Sequence, residues 1–213
     1  MTLAPNIPSF ELKTLRNGKS VLFLMATAAE YLANLKQVFV PAIIGVGPVE
    51  AALNTGLILS ALEKKPDATI LLGSAGSAVL GQGSVYQATS IAYRDMDASP
   101  LGFPKGQTPF LDQPPIINMP ISIPGLAQAS LSTGANIVIT DGFGGIAQEM
   151  VDMESYAVVR VCQAYQTDLI VLRGISDGSE ELEVYEDWTA LLPTVDKNLA
   201  AAVAVTLSYL ETT

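Results

Sequence analysis

Residues 151–156 read V-D-M-E-S-Y, and residues 173–179 read R-G-I-S-D-G-S. The first stretch puts a carboxylate, Glu154, at the predicted mouth of a helix. The second puts Asp177 just beyond a predicted strand, in a turn rich in Gly and Ser. A helix dipole favours an acid in the first turn, and an Asp in a turn binds nearby backbone N–H groups; those are the structural readings. The other reading is a reaction site. The chain has no histidine, which removes Ser-His-Asp and Cys-His nucleophile systems and the commonest zinc sites. Acid–base chemistry then falls to Asp, Glu, Lys, Tyr or water. A third acid, Glu30 on a short predicted helix, reads by default as part of a solvated face. Met153 and Phe143 read by default as core.

The chain that must position these groups has 213 residues, the length of one domain spanning 1–213. Hydrophobic residues make up 49% and charged residues 15%, enough apolar material for a large core and too much for a disordered chain. The formal net charge of −10 repels phosphate backbones and anionic lipid, so neither nucleic acid nor a membrane surface is an expected partner. The single cysteine, Cys162, allows no intrachain disulfide and no metal cluster; no metal and no cofactor are expected. The start, M-T-L-A-P-N-I-P-S-F-E, lacks a basic segment followed by an apolar one. No apolar run approaches the roughly 18 residues of a membrane span. A cytoplasmic location is expected.

Short apolar runs predict strands at 20–26, 38–44, 69–72, 84–93, 136–140 and 168–173. Pro41 argues for an edge or a bulge in the second of these. Helices are predicted over 28–36, from Pro48 to about Lys65, over 153–165 and over 195–210. Residues 99–125, rich in Pro and Gly, read as an irregular loop with a pocket or interface role. Strands alternating with helices predict a mostly parallel sheet covered on both faces. The clusters 73–77, 141–145 and 176–179 each follow a predicted strand, and ligands of open α/β sheets bind outside the carboxyl ends of strands. G-V-G-P-V-E (45–50) is read as a tight turn. Glu50 replaces the third Gly of a dinucleotide fingerprint, and no acid ends the next strand. G-S-A-G-S (73–77) lacks the Lys of a P-loop; its N–H groups and the Ser74 hydroxyl read as a cradle for a small polar ligand or as a structural turn.

Together, G-S-A-G, D-G-F, V-D-M-E and R-G-I-S-D, in this order and spacing, resemble the nucleoside phosphorylase superfamily and, within it, the bacterial 5′-methylthioadenosine/S-adenosylhomocysteine nucleosidases. The resemblance runs from about residue 20 to 210. It implies a three-layer α/β/α sandwich around a mixed, mostly parallel sheet. It also implies a homodimer and hydrolysis of an N-glycosidic bond that releases adenine from 5′-thio-substituted adenosines. Carried over by position, Asp177 matches the acid that protonates purine N7, with Ser176 orienting it. Glu154 matches the acid that grips the ribose hydroxyls, Met153 packs beneath the sugar, and Phe143 stacks on the base. Ser74 lies near the sugar and the water, and Glu30 aligns with the acid that activates that water. Leu101 and Phe103 fall where a neighbouring subunit covers the 5′ pocket, and Tyr185 falls near a residue that closes it.

The chemistry asks for these types in any case. Breaking a ribosyl–purine bond builds positive charge on the sugar and negative charge on the leaving base. One acid must neutralise the base, and a carboxylate on the other side must take a proton from water. Phosphorylases of the superfamily hold phosphate with arginines, one just before the G-S turn. Here that place is apolar, T-I-L-L-G-S, which favours water as the nucleophile. The chain departs from the nucleosidases around the 5′ pocket. It reads M-A-T-A-A-E up to Glu30, carries Arg94 where His is common, and is shorter before residue 38 and around 111–135. A related purine nucleoside hydrolase such as a futalosine hydrolase, a phosphorylase, and a non-catalytic nucleoside-binding protein are the alternatives.

Overall fold

The apolar runs are strands buried on both sides. Along β2 (Ser20–Met25), Leu22 and Leu24 point into one hydrophobic cluster, while Val21, Phe23 and Met25 point into another. The same alternation splits β4 (Ala68–Gly76) and β9 (Leu169–Asp177). Each fully buried Leu, Val or Phe contributes about 1.5–3 kcal/mol, and the polar residues of β4 and β9 gather mainly toward their carboxyl ends. The computed structural model describes residues 7–178 and 189–213.

The first cluster is completed by α1 (Pro48–Ala61) and α2 (Ser155–Tyr165), and the second by α3 (Leu192–Thr212). Pro48 stands at the first position of α1, where its missing N–H costs nothing. Helix α2 ends on Gln166 at φ 53°, whose N–H returns to the carbonyls of Cys162 and Gln163. Cys162 lies on the buried face of α2, and burial pushes its thiol up to about 12. No described helix is long and apolar enough to cross a membrane.

The sheet is mixed. Strand β2 pairs in parallel with β3 (Ala42–Ile43) and β4, and antiparallel with β1 (Leu12–Thr14). Strand β4 pairs in parallel with β9, which pairs antiparallel with β5 (Val85–Tyr93). Strand β5 pairs in parallel with β7 (Ala127–Thr133) and antiparallel with the edge strand β6 (Ile116–Asn118). Strand β7 pairs in parallel with β8 (Met150–Asp152), whose middle residue, Val151, pairs with Gly76 of β4. The pairings β4–β9–β5–β7–β8–β4 thus close into a ring.

Four expectations are corrected. Residues 136–140 form no strand; the strand of this region is β7, and residues 140–145 form a 3₁₀ turn. The reason is pairing: β7 is small and polar, but β5 and β8 flank it and supply its ladder, while Ile137 and Ile139 are exposed. The G-S-A-G stretch is the end of strand β4, not a turn after it. Residues 28–36 form two 3₁₀ turns, Ala28–Glu30 and Leu35–Gln37, in place of a helix. Only Ala42–Ile43 of the stretch 38–44 is strand, because Pro41 cannot donate to a ladder.

Candidate active site

The ends of β4 and β9 lie side by side, with Gly73 opposite Arg173 and Gly76 opposite Asp177. The register slips between them: Ala75 pairs with Ile175, but Gly76 pairs with Asp177, leaving Ser176 as an extra residue on β9. Such a bulge re-aims side chains at the end of a strand. Here it brings the Ser176 hydroxyl to donate to Asp177 Oδ1 at 2.5 Å. Both glycines of G-S-A-G are needed for close approach. A Cβ on Gly76 would lie 2.7 Å from Asp177 Oδ2 and 3.4 Å from Phe143 Cζ. One on Gly73 would lie 2.3 Å from Arg173 Nη1 and 2.9 Å from Glu30 Oε2.

Glu30 closes the first 3₁₀ turn, which Thr27 caps by accepting from the Ala29 N–H. Its side chain is buried rather than solvated. Oε1 accepts from the Ser74 N–H at 2.9 Å and from the Ser74 hydroxyl at 2.5 Å. Oε2 is buried with no hydrogen-bond partner among the described residues.

Glu154 sits at the N-cap of α2 but makes no capping bond. Instead, Oε1 accepts from the Gly47 N–H at 3.0 Å, and Oε2 lies 3.4 Å from Arg173 Nη2. Arg173, 1% exposed, also donates to Asp152 Oδ2 at 2.5 Å and to the Ser155 hydroxyl at 3.2 Å. One guanidinium therefore serves Asp152, Glu154 and the nearby Glu30. Burial alone would lower the pKa of Arg173, but the three carboxylates outweigh it and hold the cation above its ordinary range. Glu154 is pushed up to about 7, chiefly by burial, with Asp152 and Glu30 adding to the push and Arg173 and the Gly47 N–H opposing it. Burial also raises Asp177, against the Ser176 hydroxyl that favours its charged form.

These groups share one cavity of about 730 Å³, the size that holds a drug-sized ligand. Glu30, Ser74, Met153, Glu154 and Asp177 line it, together with an apolar wall formed by Val46 and Ile137–Ile139. Phe143, half-buried on its 3₁₀ turn, stands beside Gly76 but outside the lining, and Ser176 is buried behind Asp177. Leu101 and Phe103 lie elsewhere. Leu101 is 77% exposed, and Phe103 packs edge-on against Phe110 at 5.5 Å. Tyr185 lies outside the described residues. Arg94 lines the cavity and donates to the carbonyls of Ser132 and Asp152 at 2.9 Å and of Asn136 at 2.6 Å, which secures the base of that wall. Leu72, before the G-S pair, is buried in the core and brings no cation. No group of three or more metal-binding side chains occurs among the described residues.

Arg173 and Asp152 are the residues that sequence reasoning missed. The signal was present: an arginine ending the run D-L-I-V-L-R, inside a strand, must be paired when buried.

The sequence model of the Phosphorylase superfamily matches residues 126–208. A 5′-methylthioadenosine/S-adenosylhomocysteine nucleosidase of Exiguobacterium is 28% identical over 204 residues, covering 85% of this chain and 84% of the relative. The nucleosidase of Neisseria meningitidis in complex with methylthio-immucillin-A superposes with a TM-score of 0.73 at 23% identity, over 88% of this chain and 98% of that one. Futalosine hydrolase of Helicobacter pylori superposes with a TM-score of 0.76 at 20% identity, over 89% and 97%. In sequence and in fold, the chain is thus similar to the 5′-methylthioadenosine/S-adenosylhomocysteine nucleosidases of the phosphorylase superfamily.

Proposed function

We propose that the protein is a nucleosidase that hydrolyses the N-glycosidic bond of 5′-thio-substituted adenosines and releases adenine. The observation that carries this reading is the convergence of Glu30, Ser74, Glu154 and Asp177 on one cavity from four separate places in the chain. In the reaction the C1′–N9 bond breaks, the oxygen of water bonds to C1′, and the leaving base takes up a proton at N7. Asp177 gives that proton; its raised pKa keeps it protonated closer to neutral pH than an ordinary aspartate. Glu30 takes the proton of water, with Ser74 donating twice to one of its oxygens and leaving the other without a hydrogen-bond partner among the described residues. Glu154 accepts from the ribose hydroxyls and puts negative charge near the cationic sugar. Arg173 fixes its orientation. Met153 packs on the sugar and Phe143 on the base.

The frame is a three-layer α/β/α sandwich, supported by the two clusters that α1 and α2, and α3, build on alternate residues of the same strands. The working unit is a homodimer in which a neighbouring subunit's Leu101 and Phe103 cover the 5′ end of the pocket. In favour of this, Val46, Ile137 and Ile139 leave the mouth of the cavity apolar and more than half exposed.

The experiment is adenine release from methylthioadenosine in phosphate-free buffer, followed by chromatography. Adenine with free methylthioribose is expected, and Asp177→Asn should lower turnover by a factor of about 10² or more. Release that requires added phosphate would make this a phosphorylase. Hypoxanthine from futalosine, with methylthioadenosine left intact, would move it to the futalosine hydrolases. Near-normal turnover of Asp177→Asn would remove Asp177 from its role.

A further inference from the structure

The turn that carries Glu30 is too short to hold itself. Within Ala28–Glu30 the backbone bonds are Glu30 N–H to Thr27 O at 3.4 Å and Tyr31 N–H to Ala28 O at 3.2 Å. The firm anchor lies two residues further on and comes from the other end of the sequence. Asp196, on the first turns of α3 and 1% exposed, reaches across to the segment 32–35. Its Oδ1 accepts from the N–H groups of Leu32 and Leu35, both at 3.2 Å. Its Oδ2 accepts from the Asn34 N–H and from Asn34 Nδ2, both at 2.8 Å. A buried carboxylate costs several kcal/mol unless its oxygens are satisfied, and here four donors from one loop satisfy it. The carboxylate and the loop fix each other.

We propose that Asp196 is a positioning residue for Glu30, clamping the loop behind it so that the Glu30 carboxylate stays aimed at the cavity. The inference rests on the reading of Glu30 as the group that activates water. Ser74 holds the tip of the Glu30 side chain, and Asp196 holds the backbone from which it springs. The neighbour of Asp196, Val195, packs against Gly174 on β9, where an added Cβ would lie 2.4 Å away. Helix α3 thus touches both the loop of Glu30 and the strand of Asp177. A loop freed from Asp196 would displace Glu30 without altering Glu154, Met153 or Asp177, so the base and ribose contacts should survive.

The test is a double-mutant cycle read in kcat and KM for adenine release from methylthioadenosine, below the melting temperature of every variant. The variants are Asp196→Asn, Glu30→Gln and the pair. Asp196→Asn keeps the volume but turns one acceptor into a donor facing the Asn34 donors. It should lower kcat by about ten- to a hundred-fold, the scale of a small misplacement of a reacting group, with KM and adenine binding unchanged. In the Glu30→Gln background the same change should cost nothing further, because the group it positions is already lost. An equal loss in both backgrounds, or a lower melting temperature with normal kcat, would make Asp196 a fold staple and overturn the proposal. Normal turnover of Glu30→Gln would instead overturn the role of Glu30, and the proposal with it. If Asp196→Asn does not fold, Asn34→Ala removes one of the four bonds and leaves α3 intact. It should lower kcat in the same way, and an unchanged kcat would count against the clamp.

Discussion

Asp177 and Glu154 are both raised by burial, yet pH acts on their work in opposite senses. In the proposed reaction Asp177 works in its protonated form, which is lost as pH rises through its folded pKa, so it should set the alkaline limb of the rate profile. In the same proposal Glu154 receives sugar hydroxyls in its ionised form, which is lost as pH falls through about 7, so KM should rise on the acid side. The Ser176 hydroxyl stabilises the Asp177 carboxylate and so holds its pKa down. Ser176→Ala should therefore move the alkaline limb of kcat to higher pH, as a pH–rate series would show; a limb that moves to lower pH, or stays fixed, would disconnect it from Asp177. At this scale the sequence was a good guide to which acids share a cavity, where short motifs carry them. V-D-M-E and S-D named Glu154 and Asp177, and the structure puts both in one cavity. It failed at Arg173, because a charge at the end of an apolar run says that a partner exists without saying which one.

The strand ends bring the acids together, and two glycines set how near they come. Gly76 leaves room for Asp177 Oδ2 and the Val151 side chain, which would lie 2.7 and 3.1 Å from an added Cβ. Gly76→Ala should cost about 1–3 kcal/mol of stability by overpacking and should lower turnover by displacing Asp177; melting and rate measurements on one preparation would show both. Gly56, inside α1 with open space at its Cβ, is the control, because Gly56→Ala should gain about 1 kcal/mol. A Gly76→Ala enzyme as stable and as active as the parent would refute the close-packing argument. The buried strands β2, β4 and β9 were legible as apolar runs. The strand β7 was not, because A-Q-A-S-L-S-T carries little apolar signal and is ordered by its two neighbours. The β-branched run N-I-V-I-T misled for the converse reason: its Ile residues are exposed and form part of the wall of a cavity that sequence alone does not reveal.

For the molecule as a whole, the exposed apolar residues around the cavity mouth argue for a partner subunit. Val49 and Leu53 form a stripe on α1 and are 76% and 54% exposed, continuing the patch begun by Val46. Sedimentation should give twice the chain mass at micromolar concentration, and Val49→Lys with Leu53→Lys should yield a monomer with weakened substrate binding. A parent protein that sediments as a fully active monomer would end the dimer proposal. Each chain of such an assembly must carry its net charge of −10 outside the apolar contact.

One buried atom has a use unconnected with catalysis. The thiolate is the form that attacks thiol reagents, and the sulfur of Cys162 is both sealed on the buried face of α2 and held up at about 12. The folded molecule is therefore silent to alkylation, and the sulfur becomes reactive only when α2 lifts from the sheet. The chain thus carries its own clock, in which the rate of label uptake counts openings of the fold.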